Sequence, residues 1–372
     1  MENSTVAITP CRNYSLEEIR SAISACLAPL GGMEAFVKPG MKILIKPNLL
    51  TAALPEKAVT THPLVMRVVA EAVRSAGGVV WIGDSPAAEV NEGVSVWDMS
   101  GVGEAVSASD ARLLKFKGAY MRRSNGNEYY LARPVLDADL VINLPKMKTH
   151  TLTRYTGAVK NLLGTLPGGR KREIHVRAPG VTEFSRALVD ILELVRPQLN
   201  IMDGILGMEG NGPGTSGTPR AYNLLAASTD AVALDSVMAA AMGFHTGGVL
   251  HLAQAEERGL GNHHPDRIHI EGDRSILQLG KLDLPKARWF LDMPSWFTTP
   301  FQDRIKLEPR IDPAKCTACG TCAESCPADV ITVEKIAVFD LSKCIGCMCC
   351  VEVCPHGALT PKPNLLARLV GI

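Results

Sequence analysis

Eight cysteines near the end of the chain stand in two copies of one spacing. Cys316, Cys319, Cys322 and Cys326 are followed by Pro327, and Cys344, Cys347, Cys350 and Cys354 by Pro355. This C-x2-C-x2-C-x3-C-P run is the bacterial ferredoxin pattern for 4Fe-4S clusters. Three cysteines at two-residue gaps wrap one cuboidal cluster, while the fourth, displaced by an extra residue and a proline, reaches the other cluster. The spacing therefore assigns Cys316, Cys319, Cys322 and Cys354 to one [4Fe-4S] cluster and Cys344, Cys347, Cys350 and Cys326 to a second. Zinc is the alternative, but zinc sites generally use two separated ligand pairs rather than four packed thiolates repeated. Two clusters joined by exchanged ligands form a relay for single electrons. Cys349 is surplus to the pattern and reads as a free thiol, with alternative ligation behind it.

A second group of chemistry-bearing residues is scattered along residues 1–282, always at or beyond the end of a short apolar segment. Lys46 ends MKILIK and Asn48 follows it, Asp84 and Ser85 follow VVWIG, Lys146, Lys148 and His150 follow DLVINL, and Asp203 ends LNIMD with Glu209 beyond it. Short apolar segments of this kind suit buried parallel strands, and in open parallel sheets ligands bind beyond the carboxyl ends of the strands. From Lys146 to Arg177 eight Lys/Arg and two His face one acid, Glu173, which makes this an anion-attracting patch. Lys160 and Asn161 fall in YTGAVKNLLG, whose spacing suits a short helix presenting both on one edge. The candidate ligand-binding set is thus Lys46, Asn48, Lys146, Lys148, Lys160 and Asn161, with Gly212 and Gly214 of the glycine-rich segment 203–220 offering close backbone approach. Asp84 or Asp203 would relay protons or bind a cation, and His62 or His150 would act as an acid at neutral pH.

Nucleic acid is disfavoured, because the basic stretch contains one aromatic and is broken by GTLPGGRK. The literal G-x-G-x-x-G at Gly212, Gly214 and Gly217 is followed by Pro219 and the strand-like YNLLAAS. It opens no helix and is no dinucleotide fingerprint.

The elements that must position these residues alternate between helical and strand patterns. Helices are clearest at 15–30, with Ser15 and Glu18 as a capping box, at 62–76, with Pro63 at its first position, and at 182–196. Strands are clearest at 41–46, 79–83, 139–144 and 199–203. The expected architecture is an α/β domain with a mostly parallel sheet over 1–282, then an aromatic and proline-rich linker over 283–308. A small α+β ferredoxin-like domain over 309–362 and a tail over 363–372 complete it. Trp289, Phe290, Trp296, Phe297 and Phe301 of the linker, and the tail NLLARLVGI, either pack the domains together or touch a membrane surface.

At 372 residues two or three units are expected, and 46% apolar against 21% charged residues describes globular domains rather than disorder. The formal charge of +1 demands no polyanionic partner. No run of 18 apolar residues occurs, and MENSTVAITPCRNY lacks the basic and apolar regions of a signal peptide, so a cytoplasmic protein is expected. Nine of the 11 cysteines crowd between Cys316 and Cys354 in ligand spacing, which fits a reducing compartment.

Several blocks together resemble the iron-sulfur proteins of the domain of unknown function DUF362: KPGMKILIKPNLL, TTHP before a helix, GGVVWIGDSP, LVINLPKMKTHTLTRYTGAVKNLLG, DGILGMEGNGPGTSGTPR and STDAVALDSVMAAAMG. The resemblance implies the α/β architecture and the two-cluster module at one end, and little about substrate. It also allows a distant fold similarity to lactate racemase-like proteins. Two functions follow as expectations. In one, the clusters exchange electrons with a small anionic substrate, or with a bound organic cofactor, in the α/β domain. In the other, the chain is an electron carrier or adaptor that docks on a partner redox enzyme.

Overall fold

The structure, a computed structural model, describes residues 2–91, 93–178, 180–245, 247–285 and 307–366. The linker aromatics and the tail from residue 367 onward lie outside the described residues.

Ten strands form one sheet: β1 (Ser4–Pro10), β2 (Lys42–Pro47), β3 (Val79–Asp84), β4 (Arg112–Lys115), β5 (Leu140–Leu144), β6 (Lys146–His150), β7 (Arg154–Thr156), β8 (Leu199–Gly210), β9 (Gly217–Ser228) and β10 (Ile268–Glu271). Their order is β10-β1-β9-β8-β5-β2-β3-β4, and β6 pairs with β8 and β7 off this path. The run β8-β5-β2-β3-β4 is parallel throughout, whereas β9 is antiparallel to both its neighbours. The sheet is therefore mixed and mostly parallel.

Alternation along each strand divides the core into two layers, because successive side chains leave a strand on opposite faces. Ile43, Ile45, Ile142, Ile201 and Leu225 enter one cluster, with α1 (Leu16–Leu27) and α2 (Pro63–Ser75) over it. Leu44, Val141, Met202 and Leu224 enter the other, under the helices that follow later in the chain. The Ser15 hydroxyl accepts from Glu18 N at the start of α1, and Pro63 opens α2 where a missing N–H costs nothing.

Four further helices complete the first domain's working parts: α3 (Ala158–Asn161), α4 (Arg170–Arg177), α5 (Val181–Val195) and α6 (Ala231–Ala241). The segment read from sequence as a glycine-rich loop is mostly strand: β8 and β9 form a long hairpin with Gly210 paired to Gly217 at its tip. Lys146, Lys148 and His150 likewise belong to a short strand, β6, and all three are buried.

The C-terminal module carries its duplication into the backbone. Strand β11 (Leu307–Ile311) pairs with β14 (Leu359–Pro363), and β12 (Ile331–Val333) pairs with β13 (Ala337–Phe339). Helices α7 (Thr321–Glu324) and α8 (Cys349–Val353) start from the equivalent left-handed residues Gly320 and Met348. No helix among the described residues is long and apolar enough to cross a membrane.

Candidate functional site

Two small cavities in the module are each walled by four thiols. Cys316, Cys319, Cys322 and Cys354 line one, and Cys326, Cys344, Cys347 and Cys350 line the other. Each set takes three cysteines from one motif and the fourth from the other motif. Among the described residues no three Cys, His, Asp or Glu side chains converge on one point as a single metal ion requires. Thiols standing around a volume fit a cuboidal cluster. Ala318 and Gly320 in the first loop, and Gly346 and Met348 in the second, share positive φ, so the two loops wrap their volumes in the same way. Cys319 is exposed, whereas all four thiols of the second set except the partly exposed Cys344 are buried.

The module docks on the α/β domain through the tip of the β8–β9 hairpin. Thr215 Oγ1 donates to Cys354 O, and Ser216 Oγ donates to Leu359 O at 2.6 Å. Gly214 lies so close to the Glu352 carbonyl that any Cβ would collide with it, which explains the glycine. Gly212 packs in the same way on Thr149 O. Gly214 thus holds the two domains together and Gly212 packs within the α/β domain, and the expectation that they approach a ligand gives way to these packing roles. Thr51 Oγ1 donates to Val353 O at 3.4 Å and Arg172 to Glu324 O at 2.8 Å.

Between the docked domains lies a cavity of about 520 Å³. Its walls include Lys46, Asn48, Asp84 and Lys148 from strands of the α/β domain and their ends, Lys160 and Asn161 from its helix α3, and Glu324, Ser325, Cys349, Glu352 and Val353 from the module. Seven Lys/Arg side chains and four carboxylates line it, with Trp97 and Phe116 on an apolar stretch of the wall. Lys115 and Glu89, paired at 3.1 Å and half exposed, mark the side open to solvent.

Burial and pairing divide the cations. Lys46 Nζ meets Asp84 at 2.8 Å, and Asp84 also accepts from Leu49 N and Ser85 N. Asp84 is therefore committed to a buried ion pair. Gly164 packs where a Cβ would strike both partners of that pair. Lys148 donates to Asn48 Oδ1 at 2.6 Å and to Val59 O at 2.9 Å and has no carboxylate in ion-pair range among the described residues. Burial, with Lys160 and Lys146 nearby, drives its pKa well below that of an ordinary lysine. Lys160 is about nine-tenths buried, and neither a hydrogen bond nor an ion pair holds its amine among the described residues. Lys171 is lowered to about 8 by burial and donates to Ser85 O.

Helix α3, which carries Lys160 and Asn161, is fixed from both ends. Asp235 of α6 accepts from Ala158 N at 2.6 Å and Val159 N at 2.8 Å. Asn161 Nδ2 donates to Asn143 Oδ1 at 2.7 Å, and Asn143 donates to Asn200 Oδ1 and Ala158 O, both at 2.9 Å. Asn143 and Asn200 are register partners on β5 and β8, so the sheet itself positions the helix.

Besides Gly212 and Gly214, four expected site residues lie away from the cavity wall. Lys146, Asp203 and His62 join Tyr14 in a separate closed network. Lys146 Nζ is 2.8 Å from Asp203 and 2.9 Å from Tyr14 Oη, Asp203 accepts from His62 N, and Tyr14 stacks on His62 at 3.6 Å. His150 stands behind the wall, 3.1 Å from Glu352 Oε1 but without the alignment of a hydrogen bond. Its Nδ1 accepts from Leu152 N and Thr153 N, which leaves the proton on Nε2. Burial lowers His62 and His150 to about 4. Both are neutral at pH 7, and the expectation of an imidazolium acid is corrected on that ground.

Sequence reasoning missed Glu352, Arg172, Lys171 and His175 as cavity residues. Glu352 sits inside the cysteine motif, where attention goes to the thiols. Burial opposes its ionisation, yet Lys160 foremost holds it down at about 2. Lys171, Arg172 and His175 were visible as part of the basic stretch, but their helix, α4, was not.

Comparisons with known proteins place this architecture. Residues 43–240 match the family described as a domain of unknown function, DUF362, and residues 308–355 match a 4Fe-4S dicluster domain. The chain belongs to the DUF362 family. A "thylakoid-associated protein" of Synechocystis sp. is 38% identical over 259 residues, covering 69% of this chain and 80% of that protein. Among solved structures, the lactate racemase apoprotein from Thermoanaerobacterium thermosaccharolyticum is similar at a TM-score of 0.39 and 12% identity, covering 54% of this chain and 50% of that chain. A Thermotoga maritima protein is similar at a TM-score of 0.36 and 13% identity, covering 67% and 60%. The dicluster domain gives this DUF362 protein an iron-sulfur electron-transfer role.

Proposed function

We propose that this protein is an oxidoreductase that exchanges electrons with a small organic anion, substrate or cofactor, bound in the cavity between its two domains. The observation that carries the reading is the shared wall: Cys349 and Ser325, neighbours of Cys350 and Cys326, line the same space as Lys148 and Lys160. Cys316, Cys319, Cys322 and Cys354 would hold one 4Fe-4S cluster, and Cys344, Cys347, Cys350 and Cys326 the other. When bound, the clusters supply single-electron transfer.

The chain's own residues do the rest. Lys160, Lys171 and Arg172 attract the anion, and Lys160 brings a charge that the described residues leave without a direct partner. Lys46 and Asp84, mutually neutralised, shape the wall. Trp97 and Phe116 accept an apolar body. Glu352 Oε1 and Thr156 Oγ1, of residues on the cavity wall, are buried polar atoms without hydrogen-bond partners among the described residues, as expected at a site completed by water or a ligand.

The test is anaerobic purification followed by mass spectrometry of released small molecules, with Lys160→Ala beside Arg274→Ala as a control outside the cavity. Retention of an anion by wild type and Arg274→Ala, and its loss from Lys160→Ala with iron content intact, is expected. Equal retention in all three would move the ligand elsewhere and favour the carrier reading.

A further inference from the structure

Resting on the cavity reading above, we propose that Lys148 is the cavity's nucleophilic amine, and that the ligand it serves is an organic anion carrying a carbonyl group. The argument begins with a contrast among three buried lysines on neighbouring strands. Lys46 and Lys146 each have a carboxylate at 2.8 Å, as a buried ammonium requires. Lys148, 1% exposed, has two neutral acceptors, Asn48 Oδ1 and Val59 O. An ammonium has three N–H groups, and the third finds no partner among the described residues. A neutral amine has two, and both are satisfied, which leaves a lone pair for the cavity that Lys148 lines.

The charges around it support the neutral form. Lys160 and Lys146 disfavour an ammonium at this position more than Glu352 and Asp84 restore it, and burial acts in the same direction. A desolvated amine beside another cation is the arrangement that activates lysine as a nucleophile toward carbonyls. Addition of the amine to a ligand aldehyde or ketone forms a C–N bond, and loss of water leaves an imine. Hydrolysis restores both partners, so no oxidant or reductant is consumed in this step. Lys160 and Arg172 on the same cavity would hold the ligand's anionic group while the carbonyl meets Lys148.

Glyoxylate, a small aldehyde bearing a carboxylate, is the probe. Full-length protein purified anaerobically is incubated with glyoxylate and cyanoborohydride near neutral pH, and carboxymethyl-lysine is located by peptide mass mapping. Lys148 is expected to be modified ahead of exposed lysines such as Lys38 and Lys57. Lys160→Ala should slow that modification by about tenfold, the loss of one charge-assisted contact. Inorganic phosphate should protect Lys148 and leave Lys38 unaffected. The wild-type map is decisive whether or not Lys160→Ala folds. Modification of Lys38 and Lys57 with Lys148 untouched overturns the proposal. If calorimetry shows phosphate binding in wild type and not in Lys160→Ala while Lys148 stays unmodified, the nucleophile is lost and the anion cavity stands. If neither phosphate nor glyoxylate binds, both readings fall.

Discussion

Two networks of basic residues stand at the same sheet's strand ends, and they differ in how far they are satisfied. In the first, Lys146, Asp203, Tyr14 and His62 close on one another, so that the carboxylate accepts from lysine, tyrosine and backbone. In the second, Lys148 and Lys160 reach a cavity where no carboxylate pairs with them directly among the described residues. Lys146 and Lys148, two residues apart on β6, head the two networks. A buried amine that is fully paired with a carboxylate holds a fold in register, whereas one left facing a cavity is available to a ligand.

The largest expected effect separates the clusters from both networks. Because Cys326 lines the cavity of the second motif, Cys326→Ser should remove about four of the eight irons and leave the spectrum of the cluster held by Cys316, Cys319 and Cys322. Loss of the first motif's cluster instead would contradict the crossed arrangement.

Next comes the closed network. Lys146→Met strands the fully buried Asp203 carboxylate, so denaturant unfolding should show a loss of about 3–5 kcal/mol. Lys148→Met strands only the two neutral acceptors, and its loss should be smaller. A reversed order would dissolve the distinction between the networks.

The buried histidines give a smaller effect with a defined sign. His150 and His175 are lowered by burial to about 4 from an ordinary 6.5. Each contributes stability that is present above pH 6.5 and is lost as pH falls toward 4, because the unfolded chain binds the proton first. Between pH 6.5 and 5 the loss for one such group is about 2 kcal/mol. His175→Phe, which keeps the stacking on Phe184, should flatten the profile by about that amount. An unchanged slope would show that His175 titrates normally.

Much of the fold was legible. The expected helix at 182–196 is Val181–Val195, and the expected strand at 139–144 is Leu140–Leu144, because apolar period and turn residues mark such elements locally. The cavity was half legible. Lys148 drew attention by following a buried strand, and Lys160 with Asn161 by the helical spacing of YTGAVKNLLG, but nothing local separates Lys148 from Lys146. A bulge in the pairing of β6 with β8 falls between them and sends them to different neighbours. Glu352 and the packing role of Gly214 depend on docking between segments more than a hundred residues apart, which no local pattern encodes.

The smallest expected effect is none. Cys349→Ser should leave the iron content unchanged, since Cys349 lines the interdomain cavity and neither of the four-thiol cavities. Loss of about four irons would make it a ligand.

The central claim is that electrons and anion meet between the domains. It is tested most directly by following, without oxygen, the reoxidation of reduced clusters by the small anions released from the native protein. Wild type should reoxidise at least about tenfold faster than Lys160→Ala, as loss of one charge-assisted contact predicts. Equal rates in the two proteins, with clusters intact, would contradict the account.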